Sequence, residues 1–203
     1  ERAEEMIRRM DGRPAFPCNV SINELAAHYS SPPGDENRIP RASVVKIDIG
    51  VHVDGYIADT ATTVCFNPEF EGLIIAAEEA LERSIRIIRS GLSVSQFGSE
   101  VQRMIKNRGL KPVSNLTGHQ VDRYLVHTGK SLPNVFSLST ERIRAGEVYA
   151  IEPFVTLPDA EGRVRSGSEA YIFRFVKRRS LRNAYSKNLL AQIERNFKTL
   201  PFS

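Results

Sequence analysis

The chain has 203 residues, of which 41% are hydrophobic and 26% are charged, and its formal net charge at pH 7 is +4. This composition is ordinary for a globular protein with one sizeable core, and no apolar run approaches the length of a membrane span. The two cysteines, Cys18 and Cys65, lack the spacing of a zinc site and favour a reducing compartment, so we expect a cytoplasmic protein.

The first predicted element is a charged amphipathic helix over residues 1–10, which ends at Asp11-Gly12. Residues 13–20 contain two prolines and are predicted to be extended or irregular. The four residues that follow, Ser21-Ile22-Asn23-Glu24, have capping-box spacing and predict a short turn that continues through Ala27.

Residues 44–64 are predicted to form a β-hairpin, because apolar and polar residues alternate before a central Asp54-Gly55. Asp-Gly suits a two-residue turn, in which both central positions need positive φ. Such a turn sets Gly50 opposite Asp59 and places Asp48 on the same face, so the two carboxylates become diagonal neighbours about 7–8 Å apart. Two like charges in this register favour one or two bound divalent cations over a pair of solvated aspartates.

Beyond the hairpin, apolar periodicity predicts helices at residues 72–90 and 93–109 and a last helix at residues 183–198. Strands are predicted at residues 112–117, 121–127, 148–157 and near 170–176. The one dense basic run extends from Arg174 to Arg182, and it favours a solvated face over docking on RNA or a ribosome.

Other side chains could join the two aspartates in a metal site. His119 follows a glycine that permits close approach of the backbone, and Glu152 lies in an apolar strand, where an unpaired carboxylate is costly. Oxygen ligands with one imidazole suit Mn, Fe(II), Co or Zn, and the residues do not discriminate among them. A loop histidine bonded to the backbone remains the alternative for His119, and a structural core histidine for His28 and His127.

The second half of the chain echoes the first in the same order. Ile47-Asp48-Ile49 corresponds to Ile151-Glu152-Pro153, and Ala26-Ala27-His28 corresponds to Leu125-Val126-His127. These matches predict a duplicated α/β unit whose halves face each other. A pseudo-two-fold axis would set Glu152 opposite Asp48 and His127 opposite His28 around one central site.

Six segments together resemble the type 2 methionine aminopeptidases, most closely the archaeal form. They are Phe16-Pro17 with Asn19, Asn23 and Ala27-His28-Tyr29, then Lys46 to Gly50, Ile57 to Ala61, Asn115 to His119, Val126 to Lys130, and Ala150 to Phe154. The resemblance covers nearly the whole chain. It implies the pita-bread (creatinase/aminopeptidase) fold, an α/β (α+β) architecture with two pseudo-symmetric halves and a curved, mainly antiparallel sheet covered by helices.

The resemblance also implies a role for each matching residue around two divalent metal ions (Co, Mn, Fe or Zn). Asp48 would chelate one metal, Asp59 would bridge both, and His119 and Glu152 would bind the second. Glu152 would in addition shuttle the proton. His28 and His127 would contact the substrate backbone and stabilise the tetrahedral intermediate, and Phe16 would form a wall of the methionine pocket.

The implied activity is removal of N-terminal methionine from nascent proteins and peptides. The ribosome is then a candidate partner, whereas no membrane and no specific nucleic acid are expected. Residues 1–180 would form the catalytic domain, and residues 181–203 would begin the helical insertion that marks type 2 enzymes. The family's fifth ligand, a bridging glutamate on a later strand, has no counterpart up to Ser203. We therefore expect a chain shortened at both ends, with weak or no activity by itself.

Two other functions remain open on the same fold. A non-catalytic pita-bread module that binds protein or nucleic acid would not need the metal-type residues Asp48, Asp59, His119 and Glu152, all of which are present. A proline-specific or creatinase-like peptidase is disfavoured by Phe16, by Ala27-His28-Tyr29 and by the predicted helical insertion.

Overall fold

The structure, a computed structural model, describes residues 1–203 and contains four α-helices and ten strands. The helices are α1 (Arg2–Arg9), α2 (Glu71–Ile87), α3 (Val94–Asn107) and α4 (Ala184–Phe197), and a short 3-10 helix at Pro68–Phe70 precedes α2. The strands are β1 (Arg13–Ile22), β2 (Val44–Val53), β3 (Tyr56–Cys65), β4 (Lys111–Pro112), β5 (Thr117–Val121), β6 (Ser131–Pro133), β7 (Val148–Ala150), β8 (Val155–Thr156), β9 (Phe173–Arg174) and β10 (Pro201–Phe202). All strand pairs are antiparallel.

The first half of the chain forms the sheet β1-β2-β3. The predicted hairpin is confirmed in its register, because Gly50 pairs with Asp59 across β2 and β3. The turn residues Asp54 and Gly55 have φ angles of 50° and 89°, as a two-residue turn with right-handed strand twist requires. On the other edge of β2, Asn19 of β1 lies opposite Asp48.

Strand β1 differs from the sequence-based prediction. Segment 13–20, expected to be extended or irregular, is extended, and together with the residues of the expected turn from Ser21 it forms one strand, which shifts register between Pro14 and Phe16 and again before Asn19. Ser21 pairs with Lys46 and is buried, so pairing with β2 outweighs the local capping propensity of its hydroxyl. The turn begins only at Asn23, which has a φ of 50°.

The second half forms the sheet β6-β5-β7, and α3 packs on β6 and against α2. Helix α3 starts with the predicted capping box: the Ser93 hydroxyl accepts a hydrogen bond from the backbone N–H of Gln96, whose side chain accepts from that of Ser93. Its apolar residues recur at helical spacing and join the main buried core, which comprises Ala80, Val94, Phe97, Val101, Ile105, Leu132 and Ile143.

Four of the predicted strands are wrong in extent. Residues 112–117 are divided between the end of β4 and the start of β5. Strand β5 ends at Val121 and the chain then turns through Tyr124, which has a φ of 58°. Residues 148–157 are divided into β7 and β8 around Pro153, which has no N–H to donate to a ladder. Near residue 170 only the two-residue strand β9 forms. None of the four helices has the length and hydropathy of a membrane-spanning segment.

Candidate metal centre

Asp48 and Asp59 lie on one face of the β2–β3 hairpin. Gly50 pairs directly with Asp59 across the hairpin and follows Asp48 by two residues on β2. A Cβ atom added to Gly50 would lie 2.2 Å from Cε1 of Phe16, because the Phe16 ring fills the space above this glycine. Gly50 is therefore required for the close approach of Phe16. The same face carries both aspartates and the aromatic ring.

His119 and Glu152 come from the second sheet. His119 of β5 pairs with Ala150 of β7, and Glu152 follows Ala150 by two residues. A Cβ atom on Gly118 would lie only 2.4 Å from the Ala150 carbonyl oxygen and 3.1 Å from the Glu152 backbone nitrogen. The absence of a side chain at Gly118 therefore lets β5 approach the Glu152 segment closely.

Three of the four predicted ligands converge. Asp59, His119 and Glu152 each offer one ligand atom, and these atoms lie within 4.8 Å of one another. Nε2 of His119 lies 3.5 Å from Oδ2 of Asp59 and 3.0 Å from Oε1 of Glu152. Asp48 lies outside this group of three but interacts electrostatically with all of its members.

The ionisation behaviour of Asp48 and His119 reflects this crowding. Burial raises the pKa of Asp48 to about 6, and the negative charge of Asp59 acts in the same direction. Burial lowers the pKa of His119, but the nearby carboxylates of Asp59 and Glu152 outweigh it and raise the pKa to about 9. In the metal-free chain, repulsion between the buried carboxylates of Asp48 and Asp59 therefore destabilises their ionised forms.

The polar atoms of the centre are suited to a divalent cation. Two buried carboxylate oxygens of the predicted ligands have no hydrogen-bond partner: Oδ1 of Asp48 and Oε1 of Glu152. The last of these lies close to Nε2 of His119, yet the geometry is not that of a hydrogen bond. Buried polar atoms normally have partners, and carboxylates with an imidazole form a donor set that Mn, Fe, Co or Zn accept. The residues therefore fit the metal ions that the sequence predicts.

The two other histidines of the predicted site differ in how closely they approach the centre. The ring of His127 lies 4.1 Å from that of His119, centroid to centroid. Desolvation lowers the pKa of His127 to about 4, and the charges of His119 and His28 act in the same direction. His127 is therefore a neutral imidazole at neutral pH. His28 is exposed, has a φ of 64°, and is linked to His127 through this electrostatic effect.

Asn19 is a further residue of the site that the sequence analysis did not select. It is 3% exposed, and its Nδ2 donates a hydrogen bond of 3.3 Å to Oδ2 of Asp48. Asn19 lies directly opposite Asp48 in the sheet, a relationship that depends on the pairing of β1 with β2. A prediction of β1 as a continuous strand would have provided that signal.

Comparisons with known proteins identify the family of this chain. Residues 1–173 match the family model of metallopeptidase family M24. The methionine aminopeptidase of Methanothermobacter thermautotrophicus is 45% identical over 203 residues, which cover 98% of this chain and 67% of that protein. That of Pyrococcus horikoshii is 42% identical over 204 residues, covering 100% of this chain and 68% of that protein.

Solved structures extend the agreement to the fold. The crystal structure of Thermotoga maritima methionine aminopeptidase has a TM-score of 0.67 at 25% identity and covers 74% of this chain and 64% of that chain. A thermophilic Arx1 has a TM-score of 0.79 at 17% identity and covers 99% of this chain and 65% of that chain, a likeness that concerns the fold alone. The expected pita-bread fold is thereby confirmed. The chain spans about two thirds of the length of these relatives.

Proposed function

Because this chain belongs to metallopeptidase family M24 and to its methionine aminopeptidases, we propose that its four metal-type residues hold two divalent metal ions for the removal of N-terminal methionine. Asp59, His119 and Glu152 would hold one ion, and Asp48 together with Asp59 would hold the other. The observation that carries the proposal is the convergence of three ligand atoms from two sheets within 4.8 Å.

The chain's own residues would perform the steps around the bound metals. Metal ions supply a water of lowered pKa, so that hydroxide is available near neutral pH. Glu152, whose Oε1 has no hydrogen-bond partner, would take up the proton of the attacking water and return it to the leaving amine. His127 would donate a hydrogen bond to the oxygen that gains negative charge in the substrate, and His28 would contact the substrate backbone.

The methionine side chain would be held by apolar residues beside the metal centre. Phe16 lies over Gly50 on the face that carries both aspartates and belongs to a buried cluster with Ala15, Val126 and Leu200. A thioether chain is apolar and flexible, so an aromatic wall of this kind suits it. Phe16 is accordingly the proposed wall of the pocket.

Nascent chains and peptides that begin with methionine are the proposed substrates, and the cytosol is the proposed compartment. Both Cys18 and Cys65 are free thiols, as suits a reducing environment. A ribosome contact would use the exposed basic side chains Lys177 and Arg179, whereas Arg178 is paired with Glu194. The catalytic domain is proposed to comprise residues 1–180, and residues 181–203, with α4, would begin the type 2 helical insertion.

The test combines metal binding with peptide cleavage by the full chain. Calorimetric titration with Mn²⁺ or Co²⁺ is expected to show tight binding, which Asp59→Asn abolishes and which Asp159→Asn, an exposed control, leaves intact. Metal-dependent release of methionine from Met-Ala-Ser, in preference to cleavage of X-Pro peptides, is the expected activity, at the low rate expected of a chain without the family's fifth ligand. Equal metal affinity in the parent chain and in Asp59→Asn would contradict the proposal.

A further inference from the structure

A nearly buried ion pair lies behind the strand that carries His119. Nζ of Lys130 is 3.0 Å and 2.8 Å from the two carboxylate oxygens of Glu147, and it donates a third hydrogen bond of 2.6 Å to the Arg142 carbonyl. The two side chains are only 11% and 16% exposed. Oε2 of Glu147 also accepts from the Tyr149 hydroxyl and the Arg144 backbone N–H. Every donor of the ammonium group is therefore used.

The Lys130–Glu147 ion pair links the two chain segments that lie on opposite edges of β5. Gln120 of β5 pairs with Tyr149 on one side, and on the other side its N–H donates to the Lys130 carbonyl. Paired residues in a sheet share a face, whereas sequence neighbours in a strand point to opposite faces. The side chains of this set therefore lie on the face opposite to His119. Neither Lys130 nor Glu147 can act on substrate directly.

The same residues hold the segment that carries His127. The Thr128 N–H donates to the Gln120 carbonyl at 3.1 Å, and the Thr128 hydroxyl donates to the Gln120 side-chain oxygen at 3.1 Å. Residues 127–130 belong to no helix or strand. Their conformation depends on these bonds to Gln120 and on the Lys130 side chain, which fixes the far end of the segment.

We propose that Lys130 and Glu147 are positioning residues that fix the His127 imidazole against His119. Loss of one partner leaves the other charge nearly buried and unpaired, which strongly favours local rearrangement. The segment 127–130 is the part free to rearrange, because β5 itself is held on both edges. The catalytic consequence rests on the proposed function of His127, whereas the geometric consequence does not.

The geometric consequence is measured by NMR of the imidazole nitrogens in the metal-free full chain. Lys130→Met is expected to shift the His127 signals while those of His52, which lies on β2 beside Tyr124, stay in place, and Glu147→Gln should do the same if Lys130→Met fails to fold. Lys111→Met is the matched control, because Lys111 is also half-buried and bonds a carbonyl, that of Ala160, at 2.6 Å. Unmoved His127 signals in a folded variant would overturn the proposal.

The catalytic consequence is measured by a double-mutant cycle with His127→Ala. Lys130→Met is expected to lower kcat for Met-Ala-Ser about tenfold or more in the parent chain and less than about twofold in the His127→Ala background, with KM changed little. Lys130→Arg should recover most of the loss. Equal losses in both backgrounds would show a merely structural role. A parent chain that cleaves X-Pro peptides in preference to Met-Ala-Ser would refute the proposed function, and the NMR result would still decide the positioning role.

Discussion

Oδ2 of Asp59 lies 3.5 Å from Nε2 of His119, although Asp59 belongs to β3 of the first sheet and His119 to β5 of the second. No strand pairing joins these two sheets. The candidate metal centre therefore lies where the two halves of the chain meet, and a cation there would contact both halves at once.

Metal binding should accordingly stabilise the folded chain. A ligand that binds only the native state at about a hundred times its Kd adds about 2.7 kcal/mol, so we expect Mn²⁺ or Co²⁺ to raise the melting temperature by several degrees. Differential scanning calorimetry with and without metal measures this shift. An equal shift in His119→Ala would place the bound metal elsewhere.

Asp48→Asn should abolish binding of one of the two proposed metal ions, the one assigned to Asp48, without destabilising the metal-free chain. The pKa of Asp48 is raised to about 6 by burial and by Asp59, so the ionised carboxylate destabilises the folded state. The stability that the protonated carboxyl group contributes is present below the unfolded pKa and is lost as pH rises through about 6. At pH 7 the variant should melt at the same or a higher temperature than the parent chain. Calorimetric titration should show the affinity for that ion lowered at least about a hundredfold. A lower melting temperature without metal would contradict this account.

Asn19→Ala should weaken metal binding through Asp48. The Asn19 amide is buried and donates to the Asp48 carboxylate, and loss of such an outer hydrogen bond typically costs about 10–100-fold in metal affinity. Asn134→Ala is the matched control, since Asn134 is 2% exposed and donates to the Leu116 carbonyl. Both variants should lose about 1–3 kcal/mol of stability, but only Asn19→Ala should change the metal titration. Equal metal affinities in Asn19→Ala and in the parent chain would show that Asn19 does not support the metal centre.

Gly118→Ala should damage folding and metal binding together. Its Cβ would lie 2.4 Å from the Ala150 carbonyl oxygen, a backbone atom that can move only if the Glu152 segment moves as well. We expect a loss of about 1–3 kcal/mol by chemical denaturation and a weaker metal titration. Gly72→Ala is the control, because a Cβ there meets nothing within 4 Å. If a destabilised Gly118→Ala variant kept its metal affinity, the close approach of β5 to the Glu152 segment would not be required for metal binding.

The Glu147 carboxylate should make stability depend on acid pH. The hydrogen bond from Lys130, followed by that from Tyr149, lowers the pKa of Glu147 to about 2 from a usual value of 4.5. Because the folded pKa is the lower one, the stabilisation is fully present above pH 4.5 and is lost as pH falls through about 2. The melting temperatures of the parent and Glu147→Gln should thus differ most above pH 4.5 and converge as pH falls from 4.5 to about 2. Glu161→Gln, which removes an exposed pair with Arg165, should show no such convergence.

Much of the site could be predicted from local sequence. The Asp54-Gly55 turn determines the register of β2 and β3, and that register alone places Asp48 and Asp59 on one face. The partner strand β1 could not be recognised in the same way, because its prolines and two register shifts hide the alternation. Asn19 was missed for that reason. The approach of His119 to Asp59 depends on packing between sheets: the glycine before His119 makes it a candidate ligand, but the choice of His119 over a structural loop histidine came from the resemblance to a known family.

Phe16 of β1 packs on Gly50 of β2, so the width of the proposed pocket depends on the side chains of both strands. A bulkier residue at the glycine would push the ring outward, and a smaller residue at the phenylalanine would leave a hollow above the sheet. Side-chain volume can therefore be redistributed between these two positions, whereas a change at either one alone alters shape and packing together. An enzyme engineered to accept a different first residue would need both substitutions in the same step.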